Sequence, residues 1–393
     1  MSSDELPFDE LPLDALPFDA LFAEGRRQLD ICNSCRYCAG YCPVWPELET
    51  VTELTPGDLT HLSNLCHDCN DCFTACMYTA PHEFALNPPK LFAEVRERTY
   101  ATYLPRPAPG QWLARLLGRP RLGRPWPGVA AVVLSALVLI IAWAATHGPA
   151  GPAGSPYRVI SYAALVALFL IPVGWAVAVT AVAVMRYWKD VGGPARRLLH
   201  PVVWLQSLHD GLLLRHMSGG RDRVGCTNPT ETPGMSRRYL HLALLGGLAL
   251  CLAATVSAAV LQDFLGEPPP YPILSVPALA GVTGGAGMIV GAGGMLLLKR
   301  RHDPALTTRA MARSDRALGW ALLVLAASGL LARLVQGTPA FGPVLIVHLT
   351  AVLAAFVIAP YTKFMHFVYR MLSIYRDRLG TRWPSAADKG DRR

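Results

Sequence analysis

Eight of the ten cysteines in this chain fall into two copies of one pattern, C-x2-C-x2-C-x3-C. Cys32, Cys35, Cys38 and Cys42 form the first, with Pro43 directly after it, and Cys66, Cys69, Cys72 and Cys76 form the second. Three cysteines two residues apart can wrap one cubane, and a fourth set further along reaches across to another. The spacing therefore predicts two [4Fe–4S] clusters and a chain that carries electrons. On the usual cross-over, Cys32, Cys35, Cys38 and Cys76 hold cluster 1, while Cys66, Cys69, Cys72 and Cys42 hold cluster 2. Zinc is the competing reading of paired C-x2-C motifs, but it takes four ligands and has no use for the third and fourth cysteine of each run. Disulfides suit small secreted domains, and nothing in the sequence looks secreted. The second motif departs from the first in one respect: Cys76 is followed by Met77 and Tyr78, and the nearest proline is Pro81. Cys251 lies in an apolar run and reads as packing. Cys226 lies in a polar loop and carries no role at this level.

The elements that must position these thiols are read from composition. Hydrophobic residues make up 52% of the chain and charged residues 16%, and the apolar residues concentrate after residue 128. Six runs nearly free of charge, Val129–Thr146, Val159–Met185, Leu240–Leu261, Tyr271–Leu298, Ala317–Val335 and Phe341–Tyr361, are near or above the ~18 residues of a membrane-span candidate. Arg333, at the end of the fifth, can snorkel. Arginine and lysine crowd four segments: the one before the first span, the loops between spans two and three and between four and five, and the tail. The other three connections hold one basic residue, Arg158. Positive charge stays on the cytoplasmic side, so both termini and the cysteine-bearing domain are expected to face the cytoplasm across the inner membrane. This asymmetry also accounts for the net charge of +8. No aromatic-interleaved basic patch points to nucleic acid.

The chain thus divides into a flexible acidic tail (1–20), a two-cluster domain (21–105), an Arg/Pro-rich linker (106–127) and a six-span membrane domain with a cytoplasmic C-terminal tail (128–393). The tail holds a short repeat, Leu6-Pro7-Phe8-Asp9, Leu11-Pro12-Leu13-Asp14 and Leu16-Pro17-Phe18-Asp19, which a soluble partner could use as a docking strip. No strand pattern of alternating residues surrounds the cysteines. Pro81, Pro88 and Pro89 before Lys90–Tyr100 read as a turn feeding a helix. The expected fold class is all-α, a helical two-cluster ferredoxin-like domain followed by a six-helix transmembrane bundle.

Histidines in or beside spans are the second group able to do chemistry, because an unpaired ionisable group in hydrocarbon is costly. His241 opens the third span, His348 lies near the outer end of the sixth, and His366 follows that span. The eighteen residues from His348 to His366 make five turns, which puts both on one helix face unless Pro360 kinks it. Imidazoles on facing helices at one depth hold a b-type haem. His241 and His366, both on the cluster side, are the best pair for this. His348 would need His147. Bonding a headgroup, capping a helix or lining a quinone pocket are the alternatives. His209 and His216, seven apart, read as one face of an interfacial amphipathic helix. Seven glycines in the fourth span make no nucleotide fingerprint without a strand before them. Spaced four apart, as Gly281 with Gly285 and Gly287 with Gly291, they allow close helix approach.

The cysteine motifs, the run Arg237-Arg238-Tyr239-Leu240-His241, the run Leu250-Cys251-Leu252-Ala253-Ala254-Thr255 and the run Pro360-Tyr361-Thr362-Lys363-Phe364-Met365-His366 together resemble the tricarballylate/citrate-utilisation B proteins over nearly everything after residue 25. The final histidines also resemble the haem-binding helix of nitrate reductase gamma subunits. The resemblance implies a membrane subunit that reoxidises the reduced FAD of a partner dehydrogenase, one oxidising tricarballylate to aconitate, and passes electrons to membrane quinone. The alternative that the resemblance implies is the electron-transfer subunit of another flavoprotein, such as one that looks to serve cobalamin synthesis. The sequence agrees with that division of labour. It has no G-x-G-x-x-G opening a βαβ unit, so oxidation of an organic substrate falls to another polypeptide. The expected route is partner flavin, two clusters, haem b if present, then quinone. A cluster-based redox sensor or membrane anchor is the alternative of another class. Transport would call for acidic residues in the span cores, which hold none.

Overall fold

The computed structural model describes residues 16–105, 126–148, 152, 154–217, 225–227 and 232–380. Among them are thirteen α-helices and a single isolated β-bridge, between Cys226 and Gly234. The fold is all-α, as the sequence implies.

The N-terminal domain consists of α1 (Phe18–Cys35), α2 (Val44–Glu49), α3 (Pro56–Leu65), α4 (Asp71–Thr74) and α5 (Pro88–Tyr100). Local chemistry starts the longer ones. Thr55 and Asp58 form a reciprocal capping box at α3, with Pro56 in its first turn, so two otherwise unpaired backbone donors are satisfied. Asn87 accepts from the Lys90 N–H at the head of α5, after which Pro88 and Pro89 occupy the first turn. Leu21, Leu29, Leu59, Leu62, Leu65, Leu91, Phe92 and Val95 are buried together where α1, α3 and α5 meet. The acidic tail ends earlier than expected. Leu16 is already buried in this core, Arg98 bonds its carbonyl, and α1 begins within the third copy of the repeat. The first two copies, like linker residues 106–125, lie outside the described residues.

The second part holds α6 (Trp126–Thr146), α7 (Tyr162–Val191), α8 (Pro201–Leu212), α9 (Ser236–Leu265), α10 (Val276–Lys299), α11 (Arg309–Leu334), α12 (Phe341–Ile358) and α13 (Met365–Leu379). Six segments are long and apolar enough to cross a membrane: Gly128–Thr146, Tyr162–Val191, Ser236–Leu265, Val276–Lys299, Arg309–Leu334 and Phe341–Tyr361. The protein is a multi-pass membrane protein. Three of these helices extend beyond their apolar runs on the side of the N-terminal domain, α11 by a polar segment that carries Asp315. Glycine draws α9 and α10 together. A Cβ on Gly247 would lie 2.6 Å from the Gly284 carbonyl oxygen, and one on Gly284 2.8 Å from that of Gly247. The stripe that meets the α9 backbone holds Gly284, Gly287 and Gly291, so the expected pair Gly287 and Gly291 is in place, while Gly285 faces Leu330 of α11.

Two expectations about helix continuity fail. α12 ends at Ile358, a 3-10 turn spans Ala359–Tyr361, and α13 starts at Met365. Pro360 has no N–H for the helical ladder and Thr362 is extended, so His348 and His366 do not share a continuous face. Likewise α8 ends at Leu212 and His216 lies in a separate 3-10 turn, off the face that carries His209.

The expected C-terminal tail contains an element that the apolar pattern did not reveal. Helix α13 buries Met371 and Ile374 in the core of the N-terminal domain, and Met365, Tyr369, Leu372 and Tyr375 in a second core with Tyr103, Tyr187 and Trp188. Tyr187 and Tyr369 stack with ring centroids 4.8 Å apart, and the hydroxyls of Tyr187 and Ser373 are 2.6 Å apart. Arg376 closes the joint with a buried ion pair to Asp58, 2.6 Å.

Candidate metal centre

Both cysteine motifs sit where helices stop. Cys32 and Cys35 close α1, Arg36 then adopts a left-handed conformation (φ 55°), and the reversed chain presents Cys38 in the 3-10 turn Tyr37–Gly40. Cys42 precedes Pro43, which caps α2. In the second motif Cys66 caps α3, Asp68 and Asn70 take left-handed φ values of 57° and 66°, and Cys72 lies in α4. These reversals turn consecutive thiols inward from a short stretch of chain.

The thiols ring two neighbouring spaces. A cavity of about 200 Å³ is lined by Cys32, Cys35, Cys38, Cys72 and Cys76, with Trp45 and Tyr78. A narrow gap of about 10 Å³ is lined by Cys42, Cys66, Cys69 and Cys72, with His67 and Asn70. Cys76 therefore stands with the first motif and Cys42 with the second, the arrangement a cross-over needs. A single ion takes its ligands within about 2.3 Å of one centre. Among the described residues no three His, Cys, Asp or Glu side chains converge in that way. Burial, with the Cys76, Cys38 and Cys35 thiols, pushes Cys32 up to about 12. Burial and the neighbouring Cys76 push Cys38 likewise up to about 12, and Cys42 and Cys72 are also raised, chiefly by burial. So many buried thiols would ionise together only with strong positive charge among them, which bound iron provides. Two backbone amides already point at sulfur: those of Asp68 and Tyr78 lie 3.4 Å from Cys66 Sγ and Cys76 Sγ.

The two sets differ in exposure. Cys35 is exposed, beside Tyr37 (63% exposed) and Met77 (71%). Cys66 and Cys69 are buried, and the membrane part lies against them. Arg370 of α13 donates to the Cys66 carbonyl at 2.6 Å and the Asn64 carbonyl at 3.2 Å. Arg237 of α9 bonds the Asp68 carbonyl and its guanidinium lies 3.6 Å from the Asp68 carboxylate. Lys299 of α10 lies 3.9 Å from that carboxylate and 2.6 Å from Asp315 of α11, which Lys363 also meets. Burial opposes ionisation of Asp68, but Lys299 and Arg237 outweigh it and hold the carboxyl well below the usual range.

His241 and His366 both lie on the side of this junction, and the charge of His241 is one of the lesser causes that lower His366. Burial is the larger cause, followed by Arg370 and Lys363. The Nδ1 of His366 sits 2.6 Å from the Lys363 carbonyl oxygen, which fixes the tautomer and leaves Nε2 with its lone pair. His348 makes a separate contact, with Nδ1 3.1 Å from Ser328 Oγ of α11 and the ring against Gly329. His147 is exposed, its Nδ1 2.9 Å from the Trp143 carbonyl of its own helix.

Residues 25–102 match the family description Citrate utilization protein B Fer4-like domain, and residues 127–387 match Citrate utilization protein B. The chain is 34% identical over 364 residues to the Citrate utilization protein B of Escherichia coli, covering 90% of this chain and 91% of that one. It belongs to the citrate utilization protein B family. No solved structure matches it. The two family matches divide where the architecture does, between the end of α5 and the start of α6, and the Fer4-like match contains all eight motif cysteines. A Fer4-like domain points to iron–sulfur electron transfer. Sequence reasoning missed two contributors to this site. Cys226 comes to lie beside Cys69, and Arg370 reaches the Cys66 carbonyl from a helix that looked like a tail. The Arg370 signal was the amphipathic spacing after Met365; for Cys226 no local signal existed.

Proposed function

We propose that the chain is the electron-transfer subunit of a membrane oxidoreductase. It reoxidises the reduced FAD of a partner dehydrogenase, of the kind that acts on tricarballylate, and delivers the electrons to membrane quinone. The observation that carries this reading is the gathering of eight thiols into two adjacent sets, one open to solvent and the other pressed against the spans. Two [4Fe–4S] clusters, one held by Cys32, Cys35, Cys38 and Cys76 and the other by Cys66, Cys69, Cys72 and Cys42, would supply the one-electron carriers.

The remaining residues bind, orient and exclude. Tyr37 and Met77 beside Cys35 leave the first set within reach of a soluble flavoprotein. Arg237 and Arg370 tie the second set's loop to α9 and α13 and keep bulk water from it. His241 and His366 fit a haem b in their donor chemistry, because an axial imidazole usually donates its other nitrogen to a carbonyl, as His366 does to Lys363. His348 lies in a separate contact and is not needed for that pair. The N-terminal domain faces the cytoplasm, on the side where Arg and Lys concentrate.

The test is a dithionite-reduced minus air-oxidised spectrum of the anaerobically purified protein, with iron and sulfide assays. The expected result is about eight irons per chain and a broad bleach. A sharp b-type band on that bleach assigns the His241–His366 pair. No bleach from iron-loaded protein would sink the electron-transfer reading.

A further inference from the structure

Three guanidiniums from three elements meet the stretch of chain that carries Cys66. Arg96 of α5 donates to the Ser63 carbonyl at 2.6 Å, Arg370 of α13 to those of Asn64 and Cys66, and Arg237 of α9 to that of Asp68. The last carbonyls of α3 lack helical partners and need donors, so capping is the simplest account of these contacts. Capping asks for an N–H, however, and not for a charge. Arginine stays charged inside a protein, and burying a charge is costly unless an anion lies close to it. Arg96 is 5% exposed and Arg237 9%. Among the described residues neither Arg96 nor Arg370 forms an ion pair with a carboxylate. Asp68, the acid on the turn, already faces Arg237 and Lys299, and Asp71 accepts from Thr227. Positive charge is therefore left over against the second cysteine set. The first set differs: Arg36 is the basic residue that lines its cavity, and Arg36 is exposed.

We propose that Arg96, Arg237 and Arg370 supply the counter-charge of the second cluster and raise its reduction potential above that of the first. This rests on the ligand assignment proposed above. Reduction adds one negative charge to a cluster. Burial alone disfavours the more negative state and would make the inner cluster the harder to reduce, holding electrons at the exposed rim. Fixed positive charge acts in the opposite direction, and more strongly in dry surroundings than in water. The guanidiniums thus reverse the order that burial alone would set. One electron then leaves the first cluster, which is oxidised, and enters the second, which is reduced. No bond is made or broken and no proton moves.

The experiment is an anaerobic redox titration followed by electron paramagnetic resonance on the full chain in detergent. In the wild type a soluble dysprosium complex should broaden the component of the exposed first cluster, and the component it spares should have the higher midpoint. A spared component with the lower midpoint would overturn the proposal. Arg96→Gln and Arg370→Gln keep an N–H donor and remove the charge. Each should move the spared component to a more negative potential and leave the other in place, and Arg96→Lys and Arg370→Lys should recover most of the shift. Unchanged midpoints in the Gln variants would overturn the proposal. So would equal shifts in the Gln and Lys variants, which would reduce the arginines to caps. If the variants do not assemble their clusters, the order of midpoints in the wild type decides. A wild-type chain with no paramagnetic cluster on reduction would instead sink the electron-carrier reading beneath it.

Discussion

At the scale of single residues, the crossing of the fourth cysteines is the most exposed claim. Cys76 lines the same cavity as Cys32, Cys35 and Cys38, and Cys42 the same gap as Cys66 and Cys69. If those neighbours share clusters, Cys76→Ala and Cys35→Ala should remove the same component of the reduced paramagnetic spectrum. Cys42→Ala and Cys69→Ala should remove the other. Grouping of Cys76 with Cys69 would refute the crossed assignment. A second expectation concerns His61, which is 0% exposed and lies 3.2 Å from Glu47. Burial, reinforced by Arg376, lowers it to about 4 from an ordinary 6.5, against the opposing pull of Glu47. The fold therefore holds the neutral ring. Above pH 6.5 the ring is neutral whether folded or not, and nothing is lost. As pH falls from 6.5 towards 4, the unfolded chain takes up a proton that the folded chain refuses, and stability drops by roughly 3 kcal/mol in all. Thermal melting of wild type and His61→Phe across that window should show the wild type losing ground to the variant as pH falls. A difference that stays constant with pH would mean that His61 does not titrate there.

At the scale of elements, α13 is the part that the sequence conceals. The six spans declare themselves through length and lack of charge, and α3 and α5 through Thr55, Asp58 and the Pro88-Pro89 pair, because these signals are local. Likewise the cysteine spacing is legible, since a cluster domain draws its ligands from short runs of chain. What cannot be read is which distant face an amphipathic helix will choose. Residues 365–379 show a polar and an apolar side, but both sides are occupied, by α3 on one and α7 and α8 on the other. The same holds for Cys226, whose partner lies 157 positions earlier in the chain, and for the end of α12, where the proline was visible but its outcome was not. Because Arg376 pairs with Asp58 across the joint, Arg376→Ala leaves a buried carboxylate uncompensated. Breaking one side of a buried pair costs about 3–5 kcal/mol, so the melting temperature of the full chain should fall markedly. Asp58→Asn with Arg376→Gln, which removes both charges, should recover part of it. If the double variant melts no higher than the single, the pair is not what holds the joint.

For the whole molecule the question is which way the assembly faces. Six crossings return the chain to the side from which it started. The structure adds an independent reason, because α13, after the last crossing, shares a core with α1, α3 and α5 before the first. The N-terminal domain and α13 must therefore lie on one side. The loops on that side, including the one from α7 to α8 with Arg196 and Arg197, carry the positive charge. The end of α9 and the loop from it to α10, on the other side, carry Asp263 and Glu267 and no Lys or Arg. Charge bias of this kind sets orientation during insertion. In the proposed orientation the exposed rim of the first cysteine set faces the compartment where soluble flavoproteins work. Arg196 and Glu267 are both exposed, so single-cysteine probes there report the two faces. Above the background of the parent protein, Arg196→Cys should react with a membrane-impermeant maleimide only in inverted vesicles, and Glu267→Cys only in right-side-out cells. The reverse pattern would put the cluster domain outside and remove the cytoplasmic dehydrogenase from the proposed role. Labelling of both positions from one face would contradict the six-span count itself.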